Sequence, residues 1–185
     1  MVIRAQLLGV PSGADGTAET LGVMTAIATS PVEGGRDVRV VMLAREIVAD
    51  EGLAARDYLG EARAIYEYVR RHVRYTRDPA GLEYVQTPYF MLLDRRSRHL
   101  GDCDDHATAV VALGIALGMG AAFRAVAAVP RAPGEFSHVY ALLGWRERGR
   151  PVWYALDTTR PNGYFGWEPP ARAISATMDK IVVAP

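Results

Sequence analysis

Cys103 is the only cysteine of the chain, and it sits in Leu100-Gly101-Asp102-Cys103-Asp104-Asp105-His106-Ala107, directly ahead of a long apolar run. The thiolate, not the thiol, is the nucleophile, and a free cysteine has a pKa of about 8.5. A helix N-terminus and a nearby imidazolium both favour the thiolate. Asp102, Asp104 and Asp105 pull the other way unless they point toward solvent, backbone N–H groups or an arginine. Downstream lie His138, in Phe136-Ser137-His138-Val139-Tyr140, and Asp157, in Ala155-Leu156-Asp157-Thr158-Thr159. Nucleophile, base and orienting carboxylate thus occur in the order Cys, His, Asp, the parts needed for covalent acyl transfer through a thioester. On this reading Cys103 should alkylate faster near neutral pH than a free thiol.

Each residue also has a plainer reading. Cys103 would be an inert small hydrophobe, His138 a core histidine on an apolar strand, and Asp157 a turn cap with Thr158 and Thr159. A metal on Asp102, Cys103, Asp105 and His106 is disfavoured, because ligands crowded on one turn suit no tetrahedral site. No metal and no cofactor is expected.

Bringing His138 to Asp157 requires a hairpin. Residues 137–143 and 151–157 read as strands, joined through Arg146-Glu147-Arg148-Gly149. A turn centred on Glu147-Arg148 sets His138 directly opposite Asp157, with Cβ atoms about 4.5–5.5 Å apart. Centring it on Arg148-Gly149 leaves the two diagonal on one face, whereas a shift of one residue separates them onto opposite faces. Both side chains are expected on the sheet face that meets the N-terminus of the cysteine helix.

The cysteine itself needs a helix. Ala107, Val110, Val111, Gly114 and Leu117 mark one side and Ala109, Ala112, Leu113 and Ala116 the others, so the helix is apolar all round and must be central. Gly118-Met119-Gly120 closes it. Before it, periodicity predicts a helix from Asp37 to Ala49. Another follows Asp57 as N-cap, with a stripe of Leu59, Ala62, Ile65, Tyr66, Val69 and Val73. A short third starts at Thr87-Pro88. After the cysteine helix, residues 123–129 read as a further strand and 180–184 as an edge strand. Helices first and an antiparallel sheet second define an α+β architecture, with N-terminal helices and a central cysteine-bearing helix packed on the sheet.

The chain has 185 residues, half of them hydrophobic. That suffices for one well-buried core, so a single domain is expected over 1–185. Within it, 1–35 is an arm in which little is legible, 56–159 is the core and 160–185 a C-terminal extension. Net charge is zero, and the short runs Arg70-Arg71-His72 and Arg95-Arg96-Ser97-Arg98-His99 read as solvated helix ends, which argues against nucleic acid as a partner. Lys180 is the only lysine, which reads as nucleotide bias. No apolar run reaches membrane-spanning length, and the first ten residues lack the pattern of a signal peptide. A single thiol forms no internal disulfide, so a reducing, cytoplasmic setting is the default.

Gly101-Asp102-Cys103-Asp104-Asp105, the buried helix behind it, the Ser137-His138-Val139 strand and the Leu156-Asp157-Thr158 strand together resemble the transglutaminase-like superfamily, whose core is similar to that of papain-type cysteine proteases. The resemblance spans Arg56 to Thr159 and includes Val73-Arg74-Tyr75 ahead of Asp78-Pro79. It implies Cys103 as nucleophile, His138 as general base and acid, and Asp157 as the residue orienting the imidazole. It also implies an oxyanion hole made by the Cys103 N–H and a second donor, for which Gln86 is the candidate by analogy with the papain-type glutamine. The implied substrate is a peptide or protein amide, cleaved by water or passed to an amine. The stretch Leu82-Glu83-Tyr84-Val85-Gln86-Thr87-Pro88 resembles small bacterial and phage-encoded members, which adds phage structural proteins to the expected partners and a virion-associated setting to the alternatives. A non-catalytic virion-assembly or protein-binding module on the same fold is the competing reading.

Overall fold

The computed structural model describes residues 5–8, 14–79, 83–129 and 131–185, with backbone alone for 5–8 and 14. In chain order the elements are β1 (Ala5–Leu8), α1 (Ala14–Thr29), α2 (Val38–Asp50), α3 (Tyr58–His72), β2 (Arg74–Tyr75), β3 (Glu83–Gln86), α4 (Pro88–Leu93), β4 (Leu100–Gly101), α5 (Cys103–Ala116), β5 (Gly120–Val126), β6 (His138–Glu147), β7 (Arg150–Leu156) and β8 (Thr177–Val183). The architecture is α+β. Helices α1 to α4 cover one side of α5, and the antiparallel sheet β7-β6-β5-β8 packs on the other.

Capping chemistry sets most of these boundaries. Asp37 accepts from the Arg39 N–H, Asp57 from Gly60 and Thr87 from Phe90, each satisfying an N–H that the first helical turn leaves without a carbonyl. Pro88 follows Thr87 at the start of α4, where its missing donor costs nothing. Gly118 takes φ +80 just past α5, the left-handed conformation that ends a helix. Along α5, residues Asp104 to Gly114 are all buried, so nothing about it is amphipathic.

Three expectations are corrected. The arm that looked featureless contains α1, with Leu21, Met24 and Ala28 in the core. Its Thr25 and Thr29 hydroxyls donate to the carbonyls of Leu21 (2.6 Å) and Thr25 (2.8 Å), which lets threonine sit inside a helix whose periodicity is weak. Leu59 does not join the stripe of α3: it is 42% exposed while Ala62, Ile65, Tyr66 and Val69 are buried. Arg70 is no solvated helix end, because its guanidinium donates to the carbonyls of Gly163 and Pro161, both at 2.5 Å, and to the Tyr66 hydroxyl at 2.8 Å. That clamp fixes the segment following Asp157.

Close approach of the α5 backbone to the segment ahead of α2 depends on glycine at position 35. A Cβ on Gly35 would stand 2.5 Å from the Ala112 carbonyl oxygen and 2.9 Å from the Ala112 Cα. Backbone cannot move aside as a side-chain tip can. Gly35→Ala should therefore cost about 1–3 kcal/mol, read as a lower denaturant midpoint with an unchanged slope.

Candidate active site

Sheet register decides where His138 and Asp157 meet. Strands β6 and β7 pair from Glu147 with Arg150 to Ala141 with Leu156, so the turn is centred on Arg148-Gly149. Both turn residues have positive φ, +50 and +81, as the tight I′ hairpin requires. His138 and Asp157 are consequently diagonal, not directly opposed. Alternation along β6 sends Val139, Ala141 and Leu143 into the core shared with α5, and Tyr140 and Leu142 to the other face with Ala122, Val126 and Ala155. By that parity His138 belongs to the face turned away from α5, contrary to expectation. What makes the site workable is position: His138 opens β6 and Asp157 follows the end of β7, so both stand at the rim of the sheet.

At that rim the two are joined. His138 Nε2 lies 2.8 Å from Asp157 Oδ2, and the other carboxylate oxygen accepts from the Thr159 N–H at 3.1 Å and the Thr159 hydroxyl at 2.7 Å. Asp157 thus bonds His138 through one oxygen and caps its own turn through the other. Burial alone would push the Asp157 carboxyl up, but the bonds from His138 and Thr159 outweigh it and hold the carboxyl below its usual range. Arg160 Nε stands 3.8 Å from Asp157 Oδ2, and its guanidinium lies over the Trp167 ring. The Trp167 segment thus backs Asp157 and leaves Cys103 and His138 partly exposed.

Cys103 begins α5, with Asp102 as N-cap accepting the Asp104 N–H. The sulfur faces the backbone N–H of Val139, the residue next to His138. Among the described residues no sulfur–imidazole hydrogen bond is made. Burial pushes the Cys103 thiol well above its ordinary range, the Asp102 and Asp104 carboxylates push the same way, and only the Val139 N–H opposes them. That direction runs against a thiol ionised at neutral pH.

The aspartates beside it are buried: Asp102 is 8% exposed, Asp104 1% and Asp105 1%. Asp105 accepts from the Gln86 N–H at 2.7 Å and from Gln86 Nε2 at 2.6 Å, and burial still pushes its carboxyl up to about 8. Gln86 Nε2 also donates to the Leu100 carbonyl at 2.8 Å. Both amide hydrogens are spent, so the geometry speaks against Gln86 as the second oxyanion donor and makes it a tie between β3 and α5. Gln86→Ala should lower stability by about 1–3 kcal/mol by leaving Asp105 short of a donor. Turnover per folded molecule should change far less than the 10²–10³-fold typical of a lost oxyanion donor. Comparing a melting curve with active-site-normalised rates checks both.

His106 plays no part in a ligand set with Cys103. Its Nδ1 lies 2.9 Å from the Thr158 hydroxyl, and burial pulls its pKa down to about 4, so it is neutral. Among the described residues, the acids whose oxygens do converge are Glu83, Asp102 and Asp104, and Glu83 is brought in from β3. A groove of about 470 Å³ on the far face of the sheet, between Arg124, Trp153, Glu168 and Ile181, is lined by none of Cys103, His138 and Asp157.

The chain belongs to the transglutaminase-like superfamily, whose model matches residues 42–158. Among solved structures it is similar to a "putative cysteine protease" from Cytophaga hutchinsonii, at 20% identity over 75% of this chain and 42% of that one, with a TM-score of 0.47. It is also similar to a "putative protease" from Parabacteroides distasonis, at 13% identity over 77% of this chain and 26% of that one, with a TM-score of 0.46. The chain spans less than half the length of either. No curated protein matches it. Among the described residues no helix is long and apolar enough to cross a membrane.

Proposed function

We propose that the protein is a cysteine-dependent acyl-transfer enzyme acting on amide bonds of a peptide or protein, with Cys103, His138 and Asp157 as its triad. The observation that carries this reading is the 2.8 Å bond between His138 Nε2 and Asp157 Oδ2 at the sheet rim, beside the residue whose N–H faces the Cys103 sulfur. Because the carboxylate can only accept, Nε2 holds the proton and Nδ1 keeps the lone pair a general base needs. Attack then runs in one direction. His138 takes the thiol proton as sulfur bonds to the carbonyl carbon. The imidazolium gives that proton to the departing amine as the C–N bond breaks, which leaves a thioester. Water or a second amine attacks the thioester, His138 again takes the proton, and the C–S bond breaks to return the thiol. The Cys103 N–H, first in its helix and without an intrahelical carbonyl, is the oxyanion donor this geometry supplies.

A protonated resting thiol distinguishes this scheme from one with a preformed thiolate–imidazolium pair. In chelating buffer, the rate of Cys103 alkylation by iodoacetamide should therefore inflect above the ordinary thiol range of about 8.5. A substrate-like acyl probe, which engages His138 during attack, should label Cys103 at neutral pH. An iodoacetamide profile already flat below pH 7 would establish the preformed pair instead. The same raised thiol favours one second reading, a non-catalytic assembly or protein-binding module. Labelling with the acyl probe, followed by mass-spectrometric profiling of cleaved or linked peptides, separates the two: a folded chain that neither labels nor turns over any amide is the module.

A further inference from the structure

We infer that Glu83, Asp102 and Asp104 form a binding site for a single divalent cation of the calcium class, built between β3 and the first turn of α5. One oxygen from each residue lies within 4.8 Å of the others. Two oxygens bound to the same Ca²⁺ at about 2.4 Å stand at most about 4.8 Å apart, so the three are spaced as common ligands would be. The donor set is oxygen alone, which suits a hard cation and not zinc or copper. Calcium tolerates irregular geometry and completes its shell with waters, which half-buried Glu83 leaves room for.

Asp104 points to a ligand independently of the clustering. It is 1% exposed, its Oδ1 accepts the Asp105 N–H at 2.6 Å, and its Oδ2 has no hydrogen-bond partner. Its charged neighbours are the acids Asp102, Asp105 and Glu83. Asp102 spends Oδ1 on capping the helix. Asp78 and Asp105 are further acids beside them, and among the described residues no arginine or lysine forms an ion pair with any of the five acids. Buried charge is retained when it is paired or coordinates a metal. The ladder that sets Leu8 against Glu83 and the Gln86–Asp105 bonds hold β3 in place against α5. The site stands whether or not Cys103 transfers acyl groups.

Calorimetric titration of the chelator-treated full chain with Ca²⁺ should show one site per chain. The thermal midpoint should climb with the logarithm of Ca²⁺ concentration above the dissociation constant. Mg²⁺, which demands shorter bonds and near-octahedral order, should bind more weakly. Glu83→Gln and Asp104→Asn should each weaken Ca²⁺ binding by at least about tenfold. Without Ca²⁺ both variants should be close to the parent in stability, because each keeps the shape of its side chain and breaks no ion pair. Should Asp104→Asn fail to fold, the half-exposed Glu83→Gln decides alone. No heat and no midpoint shift at millimolar Ca²⁺ would overturn the inference in favour of protons shared among the acids. An equal shift in Glu83→Gln would place the cation elsewhere.

Discussion

Cys103→Ala is expected to lower amide acyl transfer by at least about 10⁴-fold while leaving the thermal midpoint close to that of the native chain. The rate loss follows because no other thiol exists in the sequence. The stability expectation follows from the local environment: the side chain is small and half-buried, and a protonated sulfur contributes little that a methyl group does not. His138→Ala should cost nearly as much in rate, since residues that act as one unit are not additive, and the double variant should be no slower than Cys103→Ala. Rates normalised to folded protein, with circular dichroism on each variant, test this. Wild-type turnover in a folded His138→Ala chain would remove the imidazole from the mechanism.

Asp157→Asn is the second large effect, expected at about 10²–10⁴-fold in rate. Asparagine keeps one carbonyl oxygen. Facing that oxygen toward His138 sets the amide hydrogens against the Thr159 N–H, which now bonds Oδ1. Facing it toward Thr159 sets an N–H against His138 Nε2, which forces the proton onto Nδ1 and removes the base. Either orientation loses a buried bond, so stability should fall by about 1–3 kcal/mol as well. A pH titration of stability separates the two consequences. With its carboxyl held low, Asp157 contributes stability that is complete above the ordinary carboxylate pKa of about 3.9 and disappears as pH falls through the lowered value. Asp157→Asn should therefore flatten the acid limb of the native curve and leave the neutral region parallel to it.

Legibility in the sequence followed the range over which each feature is determined. Caps are local, so Asp57 and Thr87-Pro88 announced their helices, apolar periodicity announced the one from Asp37, and the all-apolar run after Cys103 announced its central place. The hairpin narrowed to two same-face registers, and only the backbone of Arg148-Gly149 could choose between them. Helix α1 was hidden because it lies among glycine, alanine and threonine with no sharp apolar stripe, and its threonines are accommodated by bonds to carbonyls a turn earlier. The facts about the site that depend on tertiary packing were not legible. Nothing near Cys103 announces Glu83 as its neighbour, because β3 is set beside α5 by Gln86 and Asp105, and the papain analogy gave Gln86 a different duty. Parity along β6 was readable, but not that His138 would work from the end of its strand.

Lys180 has a consequence if the thioester is resolved by amines and not by water. It is the chain's single lysine, exposed on β8 opposite Phe123 of β5. Apart from the α-amino group, each copy therefore offers one acceptor to its own chemistry. Automodification through lysine would carry Lys180 as the amine side of every junction, whichever acyl donor it joined. Digestion of a long incubation would then show crosslinked Lys180 peptides, a fingerprint that a purely hydrolytic enzyme never leaves.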